Sequence, residues 1–231
     1  MIIITGISGG IGNFIGERFA SATDEAIVGT YHRHVPSPGD QHPKIRYVKI
    51  DLTQEKEVAA LVEGLGPEAT TIKLVHCAGV TSNAMLHKME YAEWQRVIAS
   101  NLDSAYLLTR KLLPIMRDQS FGRLLYVSSV VAQIGVAGTS PYAASKAALW
   151  GLMKSIVKEN ATKNITCNVL NLGYFNIGMI KEVPEAVLQQ ITAAIPVKKL
   201  GNPQEIFDTV NLIFGCEYLT GSAINLNGGL F

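Results

Sequence analysis

Runs of strand length and runs of helical period alternate along this chain, and that alternation restricts its fold more than any single motif does. Apolar runs stand at Ile2–Thr5, Ala26–Tyr31, Ile45–Ile50, Ile72–Cys77, Leu124–Ser128, Ile165–Leu172 and Ser222–Leu226. Helical patterns fill Ile11–Ala22, Gln54–Gly64, Glu90–Met116, Tyr142–Asn160, Glu185–Ala194 and Gln204–Phe214, with a bend expected near Asn101 in the longest. Strands that are apolar on both faces and separated by helices pair in parallel beneath helical layers. The expected architecture is therefore α/β: a Rossmann-like, doubly wound parallel sheet of about seven strands with helices on both faces. One crossover departs from the pattern. "HRHVPSPGDQHPK" carries Pro36, Pro38 and Pro43, too dense for a helix, so an irregular connection is expected there. The 231 residues show no repeat and no composition break, which suits a single domain over 1–231.

The charge balance excludes several roles. A formal charge of +1 without a basic run leaves no electrostatic footprint for nucleic acid or for an anionic membrane surface. No apolar run reaches membrane-spanning length, and the opening "MIIITG" reads as a strand, not a signal peptide. Cys77, Cys167 and Cys216 are widely spaced with no Cys-x-x-Cys, so neither a disulfide framework nor a metal site is expected, and the cytoplasm is the expected compartment.

Four motifs fall where such a sheet binds ligands, outside the carboxyl ends of its strands. "TGISGGIG" sets Gly6, Gly10 and Gly12 between a strand and a helix, where backbone N–H groups and the helix dipole favour phosphate. Ala78 and Gly79 end the fourth strand with small residues against which a cofactor ring can lie. Ser128 and Ser129 end the fifth. "SPYAASKAALWG" then places Tyr142 and Lys146 four residues apart on one helix face, where a cation lowers a phenol's pKa and prepares a general acid. Each motif alone also has an ordinary structural reading: a tight turn, strand packing, or a lysine stem lying on a ring.

Taken in order, "TGISGGIG", "HCAG", "SNLDS", "SS" followed by "YAASK", and "LGYFNIGM" resemble the classical short-chain dehydrogenase/reductases over essentially the whole length. Within them the similarity runs towards 3-oxoacyl-[acyl-carrier-protein] reductases and acetoacetyl-CoA reductases. The resemblance implies a catalytic tetrad of Asn101, Ser129, Tyr142 and Lys146, with Asn101 positioning a water and Lys146 also holding ribose hydroxyls. It implies cofactor contacts from Gly6, Ser8, Gly10, Ile11, Gly12, His32, Arg33, Asp51, Leu52, Ala78, Gly79, Tyr142, Lys146, Gly173 and Phe175, and no metal. The reaction implied is reduction of a ketone, foremost a 3-oxoacyl thioester. Alternatives are a dehydrogenase or ketoreductase for cyclic or polyketide substrates, and a catalytically silent nucleotide-binding regulator.

NADPH is the expected cofactor, with NADH as the alternative. The end of the second strand reads "VGTYHRH": Tyr31 stands where NAD-specific relatives place an acid, and Arg33 offers a guanidinium to a 2′-phosphate. Gly9 stands where NADPH-dependent relatives often carry an arginine. Three further departures stand out. His76 and Cys77 replace an asparagine pair and read as strand packing, while Leu172 replaces a proline and Ile177 a threonine whose hydroxyl meets the cofactor. An apolar lid is expected near residues 175–196. The resemblance also implies a homotetramer built on the helices near Glu90–Met116 and Tyr142–Asn160. Docking of an acyl carrier protein has weaker support, because the two positions that carry basic residues in such reductases hold Lys163 and Ser120.

Overall fold

The computed structural model describes residues 1–37, 39 and 41–231, without the side chains of Met179 and Glu182. Seven strands, β1 Ile2–Thr5, β2 Ile27–Tyr31, β3 Ile45–Lys49, β4 Lys73–His76, β5 Gly122–Ser129, β6 Ile165–Leu172 and β7 Ala223–Leu226, form one parallel sheet in the order β3-β2-β1-β4-β5-β6-β7. The order reverses between β1 and β4, which places the switch point beside the glycine-rich turn.

Alternation along the strands explains the two helical layers. In "IIIT", Ile2 and Ile4 face one layer and Ile3 faces the other, all three fully buried. Helices α1 Gly10–Ala22 and α8 Pro203–Gly215 cover the first face, where Phe19 packs edge-on against Phe207 with ring centroids 5.0 Å apart. The second face is covered by α2 Glu55–Glu63, α4 Ser104–Gln119 and α6 Ser140–Asn160, whose Leu108, Leu112, Leu149 and Met153 are fully buried. Burial of each such side chain contributes about 1.5–3 kcal/mol. Local signals set the boundaries: Asn202 caps α8 through a reciprocal capping box with Glu205, and Pro203 occupies the first turn, where its missing N–H costs nothing.

The long helix expected over Glu90–Met116 is three pieces: α3 Tyr91–Ile98, a π-helical turn Ala99–Asp103, and α4. The bend near Asn101 is that π-turn. A short helix, α5 Val131–Ile134, follows β5 and has no counterpart in the sequence reading. The second-strand crossover contains no helix of useful length among its described residues, and Pro38 lies outside them. Beyond β6 come a 3₁₀ turn, Gly178–Glu182, and α7 Glu185–Ala194. Among the described residues no helix is long and apolar enough to cross a membrane, and no group of three or more His, Cys, Asp or Glu could hold a metal ion.

Candidate active site

Ser129 closes β5, and Tyr142 lies in the first turn of α6, just after Pro141. Both therefore sit at the carboxyl edge of the sheet. The Ser129 hydroxyl stands beside the Tyr142 phenol and favours its ionised form, and it accepts the Val131 N–H at 3.2 Å, which fixes it at the strand end. Lys146, one helical turn after Tyr142, is buried, and its Nζ donates to the Val127 carbonyl at 2.8 Å. That nitrogen lies 5.8 Å from the Tyr142 ring centroid.

The electrostatics differ from expectation. The sequence reading has Lys146 lowering the Tyr142 pKa, yet burial raises it above the usual phenol value. Tyr174 raises it further, and the Ser129 hydrogen bond opposes the shift. The physical reason is that the lysine charge is turned to Val127, beyond hydrogen-bond reach of the phenol. Lys146 itself is pushed down to about 8 by burial, with the neighbouring Cys77 opposing the fall. Burial pushes the Cys77 thiol up to about 12, so it is inert at neutral pH.

Asn101 is fully buried in the π-turn. Its Oδ1 accepts the Val80 N–H at 2.7 Å, while its Nδ2 donates to the Val80 carbonyl at 3.0 Å and to Ser145 Oγ at 2.9 Å. The side chain thus ties the loop after β4 to α6 and has no N–H left for a water. A β-carbon built on Gly79 would lie 3.1 Å from Asn101 Oδ1 and 3.2 Å from Lys146 Nζ, so the three residues converge at one spot.

A cavity of about 560 Å³ runs from this spot to the end of β2. Its lining includes Gly6, Ser8, Ala78 and Gly79 at the strand ends, and His32, Arg33, Asp51 and Leu52 further out. Gly6 has φ +68°, and a β-carbon there would lie 3.0 Å from the Ala78 backbone, so only glycine fits this close approach of β1 to β4. Burial raises the Asp51 carboxyl, but hydrogen bonds from Thr53, the charge of His32 3.8 Å away and a bond from Gln54 bring it below its usual value.

Other expected contacts lie elsewhere. Gly12 is buried behind the turn, Gly173 backs onto Asn227, and the Phe175 ring packs against Gly201. Ile11 is part of the core on the α1 side. A second cavity of about 500 Å³ joins Ser8, Gly10 and Asn13 to Ile177, Gly178 and Lys181. There the backbones touch: a β-carbon on Gly10 would lie 2.7 Å from Gly178 N. Helix α7, within the stretch expected to form a lid, has no buried residue.

Three residues were not singled out from the sequence. Tyr174 brings a second phenol within electrostatic range of Tyr142 and was legible, since it follows Gly173 within "LGYFNIGM". Arg96 lines the larger cavity, held by Glu93 at 2.7 Å and by the Thr81 carbonyl at 3.2 Å. Ser145 is the inner anchor of Asn101. Neither of the last two has a local sequence signal, because tertiary contact alone gives them their place.

A family model described as short chain dehydrogenase matches residues 1–187. The chain is 34% identical over 239 residues to an acetoacetyl-CoA reductase of Acinetobacter sp. (strain RA3849), covering 99% of this chain and 96% of that protein. It is 31% identical over 246 residues to the 3-oxoacyl-[acyl-carrier-protein] reductase FabG of Aquifex aeolicus (strain VF5), with coverage of 99% and 96%. Among solved structures, a protein of Agrobacterium tumefaciens provisionally described as a gluconate dehydrogenase superposes with a TM-score of 0.89 at 25% identity, covering 100% of this chain and 95% of that one.

Proposed function

The chain belongs to the short-chain dehydrogenase family, and from that premise we propose that it reduces a 3-oxoacyl thioester to the 3-hydroxyacyl thioester with NADPH. It is an oxidoreductase that uses a nicotinamide cofactor. The observation that carries the proposal is the placing of Ser129 at the end of β5 beside Tyr142 in the first turn of α6, with Lys146 one helical turn on reaching Gly79 in the wall of a dinucleotide-sized cavity. Similarity along essentially the full length to acetoacetyl-CoA reductases supports the thioester over other ketones.

The residues present fit such a cofactor. Gly6 leaves backbone exposed in the cradle, and Ala78 and Gly79 offer a flat wall. Asp51 would meet the adenosine end, and Arg33 a 2′-phosphate. Ser8, Gly9 and Gly10 at the start of α1 would face the pyrophosphate. When bound, the nicotinamide supplies hydride to the ketone carbon. Tyr142 then gives its proton to the developing alkoxide while Ser129 donates a second hydrogen bond to the same oxygen. The phenol carries its proton at neutral pH, and burial raises its pKa further, so Tyr142 stands as a donor. Lys146 supplies the positive charge of the site and would hold the ribose hydroxyls, and Asn101 holds the wall beside it.

The thioester carrier we propose is coenzyme A, since only Lys163 offers a basic residue where the resemblance pairs two for an acidic carrier protein. We assign residues 1–231 to one dinucleotide-binding domain with a lid near 175–196, assembled as a homotetramer through α4 and α6 and working in the cytoplasm. Tyr106 on α4, 47% exposed in the single chain, supports the helical interface. The free thiols of Cys77, Cys167 and Cys216 suit a reducing compartment. Loss of reduced-cofactor absorbance with acetoacetyl-CoA, longer 3-oxoacyl thioesters and keto-sugar acids tests the reading. Turnover confined to the sugar acids would replace it.

A further inference from the structure

Beneath the cavity floor runs a hydrogen-bond path whose direction is set by its own ends. His76 ends β4 in register with Thr5 of β1, and its ring is fully buried. Nδ1 lies 3.0 Å from Thr5 Oγ1, and Nε2 lies 3.2 Å from Ser104 Oγ. The neighbours decide which nitrogen carries the proton. Ser104 Oγ donates to the Ser100 carbonyl at 2.7 Å, and a carbonyl only accepts, so the one hydroxyl proton is used there. Ser104 must then accept from His76, which puts the hydrogen on Nε2 and leaves Nδ1 with a lone pair. Thr5 donates to that lone pair and accepts the Ala78 N–H at 3.0 Å. The path runs from Ala78 N–H through Thr5, His76 and Ser104 to the Ser100 carbonyl, with every donor matched to an acceptor. Tyr126 sets the ring plane by an edge-on contact, centroids 6.2 Å apart.

Both ends of the path reach the site. Ala78 lines the cavity next to Gly79, where Asn101 and Lys146 converge. Ser100 also lines it and immediately precedes Asn101 in the π-turn. The wall is therefore tied twice: from above by Asn101 to Val80, and from below through His76. An imidazole suits the lower tie because it is a rigid ring with a donor at one side and an acceptor at the other. A leucine would leave Thr5 and Ser104 without their buried partner.

We infer that His76 is a positioning residue: as its Nε2–H tautomer it fixes the end of β4 against the π-turn that carries Asn101, and so sets the wall on which the cofactor lies. It touches no reacting atom and acts through Ala78 and Ser100. The kinetic consequence and the choice of NADPH as probe rest on the proposed function; the tautomer does not.

The test uses the full-length protein and two conservative variants, Ser104→Ala and Thr5→Val, each removing one end of the path without touching His76. Ring-nitrogen NMR on histidine-labelled parent protein at pH 7, assigned against His76→Asn, is expected to show Nε2 protonated and Nδ1 bare. In Ser104→Ala the Nε2–H loses its acceptor, so its proton and nitrogen resonances should shift away from those of the parent. NADPH affinity, by quenching of intrinsic fluorescence, should fall about tenfold in both variants, with kcat on acetoacetyl-CoA falling alongside. An Nδ1–H ring or an imidazolium in the parent would overturn the inference. So would variants that merely melt earlier while NADPH affinity stays within twofold of the parent. If the parent binds NADPH but reduces no thioester, the proposed substrate fails while the tautomer and affinity still decide this inference.

Discussion

The Lys146 ammonium donates to the Val127 carbonyl at 2.8 Å while standing 5.8 Å from the Tyr142 ring. The charge thus belongs to the floor of the site and is poorly placed to stabilise a phenolate. Its dependence on burial makes it sensitive to pH. With its pKa held down at about 8, Lys146 is charged at neutral pH and loses the charge above that value. Reduction should therefore be flat through neutrality, with kcat/KM for NADPH falling about tenfold per pH unit above about 8. Lys146→Arg keeps the charge at all these pH values and should abolish this limb, even where its activity is lower. A parent profile flat to pH 10 would refute the assignment.

Tyr142→Phe removes the proton donor and keeps the ring. Turnover should drop by about 10²–10⁴-fold, the usual contribution of a positioned general acid. NADPH affinity should change by less than about twofold. Stopped-flow reduction and fluorescence titration separate the two, and retention of most activity would remove Tyr142 from its role.

Arg33 lies exposed on the rim of the larger cavity, with His32 and His34 beside it. If it binds a 2′-phosphate, Arg33→Ala should lower kcat/KM for NADPH by about ten- to a hundredfold and leave NADH nearly unchanged. Equal losses for the two cofactors would remove the phosphate-binding role from Arg33, and no loss for either would leave it part of a solvated loop.

His76 gives an acid-stability signature. Burial, helped by the Lys146 charge, pushes its pKa down to about 3, against 6.5 for an ordinary histidine. Because the folded state refuses a proton that the unfolded state accepts, the contribution is fully present above pH 6.5 and is lost as pH falls towards 3. The slope in that window is at most about 1.4 kcal/mol per pH unit from this group. Urea unfolding of the parent and of His76→Asn between pH 7 and 4 should show the parent losing stability more steeply. Parallel curves would contradict it.

The alternation of apolar runs with helical periods carried the sheet, its parallel pairing and most element boundaries, because in "IIIT" and the other inner strands both faces are buried and leave an apolar signature. Ser129, Tyr142 and Lys146 were legible because a strand end and a helix start bring them together over a short separation. The polar ties were not. Asn101 meets Val80 and Ser145 across 21 and 44 residues, and His76 meets Thr5 across 71, so nothing local announces them. The Tyr142 pKa was misjudged for a related reason: helical spacing sets two residues on one face but does not say that the ammonium will turn to a strand carbonyl.

The central claim is reduction of a 3-oxoacyl thioester through Tyr142, and its most direct measurement follows NADPH oxidation by the purified protein with acetoacetyl-CoA, with the product identified by mass. The account predicts turnover to the 3-hydroxyacyl thioester, faster with NADPH than with NADH and lost in Tyr142→Phe. Absence of the hydroxyacyl product with every 3-oxoacyl thioester, alongside turnover of another ketone class, would contradict it.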